Sequence, residues 1–378
     1  MIKKCIRKHV FPNVNKTISV QYFLKVSLLA MDQASTSVSV LHPAVTLFPR
    51  SAMRKILVGV TSLAAITIAA WWWLGSGGET VVAAPWKPPA YLQPDRAYQY
   101  LKKICEFGPR PSGSDAITNL QAYLIDHFKA AGVLVDTQEF EVRHPVTGMP
   151  VKMKNIIVRF APEIKKRVLL CTHYDTRPFP DRDPRNPRGT FIGANDGGSG
   201  VALFQEITPT LLQMKLNVGV DLIMFDGEEL IYDDNKDRGR YFLGSTEFAT
   251  RYRAEPRDFN YTAGILLDMI ADKELHLYYE RNSYDMARAL TREVWAVAEK
   301  VGIREFVPRV RHEVRDDHLP LNEIAKIPTT DLIDFDYPRL GVRSVSYWHT
   351  EQDIPENCSG ESICKVAAVL LEWIRNQK

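Results

Sequence analysis

From Arg96 onward the chain switches repeatedly between two hydrophobic periods. Apolar residues recur at helical spacing over Arg96–Phe107 and Ile117–Ala131, which predicts two amphipathic helices. Val133–Val142 is rich in β-branched residues and ends on the alternation of Phe140 and Val142, the pattern of a half-buried strand. Asn155–Phe160, Val168–Thr172, Val218–Phe225, Ala263–Asp268 and Leu275–Tyr279 are short apolar runs, as expected of strands covered on both faces. Amphipathic helices are predicted between them near Gly200–Met214, Ser245–Tyr252 and Tyr284–Val301, with a last one near Glu361–Asn376. Strands alternating with helices predict an α/β fold: a three-layer sandwich with a central mixed, mostly parallel sheet flanked by helices.

Upstream the pattern is different. Ile56–Leu74 reads ILVGVTSLAAITIAAWWWL without a charge, close to the ~20 residues that cross a bilayer core as a helix. Arg54 and Lys55 precede it and Trp71, Trp72 and Trp73 end it, so the positive-inside tendency assigns the rest of the chain to the extracytoplasmic side, periplasmic or extracellular. The small residues of Val81–Ala84 leave a membrane anchor and a cleaved signal peptide both open. The organisation expected is a basic leader or upstream extension over 1–52, a signal anchor or signal peptide over 53–75, a Pro-containing linker over 76–93, and one functional domain over 94–378.

Charge changes one conclusion. The net charge of +3 conceals a leader with seven Lys/Arg against Asp32 alone, so residues 53–378 are mildly acidic and carry no basic footprint for nucleic acid. Five cysteines, none in CxxC spacing, exclude a disulfide scaffold and a thiolate zinc site. Cys358 and Cys364 read as unpaired thiols, with a bridge as the alternative.

Candidate chemistry lies where the apolar runs stop, because ligand sites in such sheets form outside the carboxyl ends of the strands. VLLCTHYDT ends on His173 and Asp175, and FIGANDGGSG presents Asp196. VDLIMFDGEEL ends on Asp226, Glu228 and Glu229, and AGILLDMI on Asp268. VRDDHLP adds Asp316, Asp317 and His318, and SYWHT adds His349 after Trp348. Any one of these acids is explained by helix capping. Carboxylates crowded at one sheet edge repel one another unless a cation compensates, so a metal is the economical explanation. Oxygen donors with imidazole suit catalytic zinc. GANDGGSG lacks the Walker lysine and the GxGxxG pattern, and its glycines instead allow a tight turn around Asp196. The insert Arg177–Arg188 reads as a solvated loop at the rim of the cleft.

The ordered set HYD, GANDGGSG, FDGEE, LLDM, DDHLP and WHT resembles the metallopeptidase clan that contains zinc aminopeptidases and glutaminyl-peptide cyclotransferases, from about Pro94 to the C-terminus. The resemblance implies a zinc aminopeptidase-like fold and one Zn2+ per chain held by Asp196, Glu229 and His349. It implies Glu228 as acid/base, with Asp268 and Asp316 in a carboxylate network and Trp348 and Asp317 on the substrate side. His173, Asp175 and His318 would be ligands of a second metal or groups that orient the ligands. Asp316-Asp317-His318 and Trp348-His349 look like the cyclase branch, which converts N-terminal glutamine of peptides to pyroglutamate. A two-zinc aminopeptidase is the alternative. The expected partners are peptide or protein N-termini as substrate, and the membrane through 56–74 if that segment is retained. LIYDDNKD lacks a tryptophan that animal cyclases carry shortly after the Glu-Glu pair.

Overall fold

The computed structural model describes residues 86–232, 240–338 and 346–378. Two helices come first, α1 (Pro94–Cys105) and α2 (Asp115–Ala130), the second capped by Ser114, whose hydroxyl accepts from the Ile117 N–H at 3.2 Å. A long antiparallel pair follows, β1 (Leu134–Arg143) with β2 (Pro150–Phe160). Strands and helices then alternate through β3 (Lys166–His173), α3 (Ser199–Gln213), β4 (Gly219–Phe225), α4 (Leu243–Ala254) and β5 (Asn260–Asp268). Beyond these lie β6 (Leu277–Tyr279), α5 (Arg281–Met286), α6 (Arg288–Lys300), β7 (Phe306–Val310), β8 (Thr329–Ile333) and the closing helix α7 (Gly360–Asn376).

The main sheet has six strands in the order β1-β2-β4-β3-β5-β8. β2 runs antiparallel to both neighbours, while β4, β3, β5 and β8 are mutually parallel. The mixed, mostly parallel sheet is therefore the one expected. Successive side chains leave a strand on opposite faces, and β3 shows where they go. Val168 and Leu170 join the large core with Leu101, Leu124, Phe204, Val294 and Leu370, whereas Leu169 and Cys171 face Phe248, Ala249, Leu321 and Ala325. Helices α1, α2, α3, α6 and α7 thus cover one face and α4 the other, giving three layers. Each fully buried Leu or Phe in these clusters contributes about 1.5–3 kcal/mol. Ala84–Lys378 hold together as one compact unit.

Two features differ from the sequence expectation. The helix expected over Tyr284–Val301 is broken at Ala287 (φ −131°), because Glu280 starts a separate turn by accepting from the Asn282 and Ser283 N–H groups at 2.8 and 2.6 Å. β8 was not anticipated, since TTDLI reads as polar. Its polar atoms find partners inside: Thr330 Oγ1 lies 2.9 Å from Thr291 Oγ1, and the Asp331 N–H donates to Ser283 Oγ at 2.9 Å. β7 pairs with β6 in a separate two-stranded ribbon. Cys105, Cys171, Cys358 and Cys364 are free thiols. Among the described residues no helix is long and apolar enough to cross a membrane, and the apolar run 56–74 lies outside the described residues.

Candidate metal centre and active site

The parallel strands deliver their last residues to one edge. β3 ends on His173, β5 on Asp268, and β4 on Phe225 directly before Asp226–Glu229. The Asp196 loop is built onto this edge by fixed backbone contacts. Buried Arg110 donates to the carbonyls of Tyr174, Ile192 and Gly193 at 3.0, 2.5 and 2.7 Å. Asp353 accepts from the Asn195 and Asp196 N–H groups at 2.8 and 3.1 Å. Gly197 follows at φ +81°, where a Cβ would meet the Asp175 carbonyl at 2.4 Å, so glycine is required. The Glu pair is held likewise, the Asp175 carboxylate accepting from the Glu228 and Glu229 N–H groups at 3.1 and 3.0 Å.

These supports bring Asp196, Glu229 and His349 together. His349 Nε2 lies 2.9 Å from Glu229 Oε1 and 3.5 Å from Asp196 Oδ2. All three are buried, and their candidate ligand atoms lie within 4.8 Å of one another. His349 has a left-handed backbone at φ +56°, a costly conformation for a non-glycine residue that points to a site where position outweighs ease. A second group shares Asp196: His173 Nε2 lies 3.2 Å from Asp196 Oδ1 and 3.3 Å from Asp268 Oδ1. Asp196 Oδ2 is buried without a hydrogen-bond partner. A buried carboxylate oxygen aimed at a neighbouring carboxylate and an imidazole is costly without a cation, so the donor set fits a zinc ion.

The electrostatics express the same crowding. Burial, then the Glu229 charge, pushes Asp196 up to about 6. Glu229 also suffers from burial, but the His349 and Arg177 charges outweigh it and hold the carboxyl at about 2. Burial and the Glu229 charge raise Glu228 well above the ordinary carboxylate range, and burial with Asp268 and Asp317 does the same for Asp316.

A cavity of 430 Å3 opens above these groups, a size suited to a small side chain and its backbone. Asp196, Glu228, Glu229, Asp268, Asp316, Trp348 and His349 line it. Asp317 does not: the chain turns helical at His318, so Asp316 faces the cavity while Asp317, fully buried, accepts from Ser245 Oγ at 2.5 Å. Asp175 acts beneath the floor through the two backbone N–H groups already named. His318 is remote from the cavity, 3.3 Å from Glu280 and 3.8 Å from Asp331. Trp348 packs on His349, with ring centroids 4.0 Å apart.

Several functional residues were missed in the sequence. The insert Arg177–Arg188 is more than a solvated rim: the Arg177 N–H donates to Glu229 Oε2 at 3.0 Å, and its Nε lies 3.3 Å from Glu229 Oε1. Asp181 approaches His349 Nδ1 at 3.4 Å. Asp353 lies in a loop with no apolar run before it, and buried Asp331 lies in the unanticipated β8, so neither carried the strand-exit signal.

Residues 155–374 match the model of peptidase family M28. The chain is 26% identical over 279 residues to the glutaminyl-peptide cyclotransferase of Gloydius blomhoffii, covering 65% of this chain and 70% of that one. The crystal structure of the Fimbriiglobus ruber glutaminyl cyclase is similar with a TM-score of 0.71 and 39% identity, over 78% of this chain and 100% of that one. A leucine aminopeptidase precursor from Bacteroides thetaiotaomicron is similar at 0.69 and 31%, over 79% and 100%. The chain belongs to peptidase family M28 and groups there with the glutaminyl cyclases.

Proposed function

We propose that this protein is a glutaminyl-peptide cyclotransferase, converting the N-terminal glutamine of peptides to pyroglutamate with release of ammonia. The observation that carries the reading is the cavity itself, in which Glu228, Asp268 and Asp316 face one space beside Asp196, Glu229 and His349, with Trp348 as an apolar wall.

The reaction joins the substrate's α-nitrogen to its own γ-carbonyl carbon and breaks the bond from that carbon to the amide nitrogen. One proton must leave the α-amine and one must reach the departing nitrogen. Glu228 is placed to carry it, because its backbone is fixed by Asp175 and its carboxyl faces the cavity. A carboxyl held above its ordinary range exchanges protons with amines and amides near neutral pH more readily than an ordinary carboxylate. Asp268 and Asp316 line the same cavity and are placed to orient the leaving amide by hydrogen bonds, Asp316 being pushed well above the ordinary carboxylate range by burial and the Asp268 charge. Asp196, Glu229 and His349 would hold one zinc ion, which supplies Lewis-acid polarisation of a carbonyl when bound. Trp348 offers the aliphatic part of the glutamine side chain a flat surface.

A second reading rests on a specific observation. His173, Asp196 and Asp268 form another group able to hold a metal, as a two-zinc aminopeptidase requires. Mass analysis of a glutaminyl and a leucyl peptide after incubation separates the two. Loss of ammonia from the first with the second intact supports the cyclase, and release of free leucine overturns it. We place the domain at 94–378 on the extracytoplasmic side, tethered through 56–74 or released after cleavage, with peptide or protein N-termini as its partners. Fractionation of the native protein with N-terminal sequencing tests that placement.

A further inference from the structure

The geometry points to a charge-reading mouth: we propose that Arg182 and Arg315 favour peptides with an acidic residue directly after the N-terminal glutamine. This inference rests on the cyclase reading and specifies its substrate class.

Arg182 belongs to the insert but is fixed against the site. Its N–H donates to the His349 carbonyl at 3.1 Å, and its guanidinium lies 4.2 Å from the centroid of the Trp348 ring. Trp348 is gripped from other directions by His349 and by Phe335, whose ring centroid is 4.9 Å away. The guanidinium therefore caps the wall against which the glutamine side chain lies. Arg315 comes from another segment of the chain, with its guanidinium 5.9 Å from the Phe242 ring. Both arginines line the cavity and both are exposed.

Among the described residues, neither Arg182 nor Arg315 forms an ion pair, whereas Arg177 deeper in the cavity is matched by Glu229 at 3.3 Å and Asp181 at 3.5 Å. Among the described residues that line the cavity, the exposed acid is Glu313 against exposed Arg182 and Arg315, while Asp196, Glu229, Asp268 and Asp316 on the floor are buried. A substrate whose α-amine and side chain reach Glu228 has its next residue at this mouth. A carboxylate there meets two exposed guanidiniums, and an ammonium is repelled by them. Exposed charge pairs are individually weak and screened by salt, so the expected discrimination is moderate and depends on ionic strength.

The test measures kcat/KM for ammonia release from three pentapeptides that differ only at the second position: Gln-Glu, Gln-Ala and Gln-Lys. We expect the Glu peptide to exceed the Lys peptide by roughly tenfold at low salt, falling to about twofold near 0.5 M salt. Arg182→Glu with Arg315→Glu inverts the ratio, and Arg182→Lys preserves its direction. A ratio within the same peptide set is insensitive to the fraction of each variant that folds. Equal turnover of all three peptides by the unmodified protein, or a ratio untouched by the double reversal, overturns the inference alone. Failure of every glutaminyl peptide to release ammonia overturns the cyclase reading and this inference with it.

Discussion

Replacing Glu228 by Gln changes the reaction with little change in shape. The two side chains are nearly isosteric, and the position is fixed through the Glu228 N–H on Asp175, which the substitution leaves intact. The proposed ligand set Asp196, Glu229 and His349 is untouched. What disappears is the ability to accept and return a proton. Positioned acid/base groups contribute about 10²–10⁴-fold, or roughly 3–5 kcal/mol of barrier at 1.36 kcal/mol per decade. Asp268 and Asp316 face the same cavity, but Asp268 is held 3.3 Å from His173 Nε2 and Asp316 accepts from the Asp317 N–H at 2.6 Å, so neither replaces Glu228. We expect about a thousandfold loss in kcat, with KM little changed and zinc retained. Continuous detection of ammonia from a glutaminyl peptide gives the first two, and elemental analysis of the purified variant gives the third. Activity within about tenfold of the parent, with full zinc content, refutes the assignment of Glu228 as the proton carrier.

Other perturbations probe the scaffold. His349→Ala removes one of the three residues proposed to hold zinc, and zinc affinity measured against a competing chelator should fall by more than the roughly 10–100-fold typical of groups behind the ligands. Asp353→Ala releases the Asn195 and Asp196 N–H groups and should lower zinc affinity within that 10–100-fold range while the far-ultraviolet circular dichroism is preserved. Gly197→Ala forces a Cβ to 2.4 Å from the Asp175 carbonyl at φ +81° and should cost about 1–3 kcal/mol in denaturant unfolding. Burial and the Asp175 charge raise Asp226 to about 7, so the folded protein keeps a proton there that the unfolded chain loses near pH 4. Stability from this group is therefore full below pH 4 and is lost as pH rises through 7. Asp226→Asn should flatten that slope by at most about 1.4 kcal/mol per pH unit, seen as unfolding midpoints compared at pH 5 and 7.5.

The layers and most site residues were legible because one physical rule generates both signals. A buried strand must be apolar until it emerges, so the first polar residues at the end of the run lie at the sheet edge, as His173, Glu229 and Asp268 do, while Asp196 lies in the loop between β3 and α3. The rule fails where burial is achieved by pairing instead of by apolar character. Thr330 and Asp331 are fully buried in β8, yet read as surface residues until Thr291 and Ser283 are seen opposite them. Arg177 has the same problem, since its burial is licensed by Glu229, far off in the chain, as well as by Asp181 four residues on. Asp316 and Asp317 are adjacent in sequence and chemically identical, and only the helical turn beginning at His318 decides which one faces the cavity.

The Asp353 carboxylate, locked to the Asp196 loop, has a bearing on when the centre can form. Asp196 comes from the middle of the chain, whereas His349 and the supporting Asp353 come from just before the last helix. Closing such distant contacts is slow, and emergence from the ribosome proceeds from the N-terminus. Most of the sheet can pair while the C-terminal loop is still unmade, but the nascent protein has neither the final imidazole nor the brace behind Asp196. Completion of the Asp196, Glu229 and His349 group is thus deferred to the end of the chain, and a chain cut short before His349 lacks both the imidazole and the helix α7 that covers one face of the sheet.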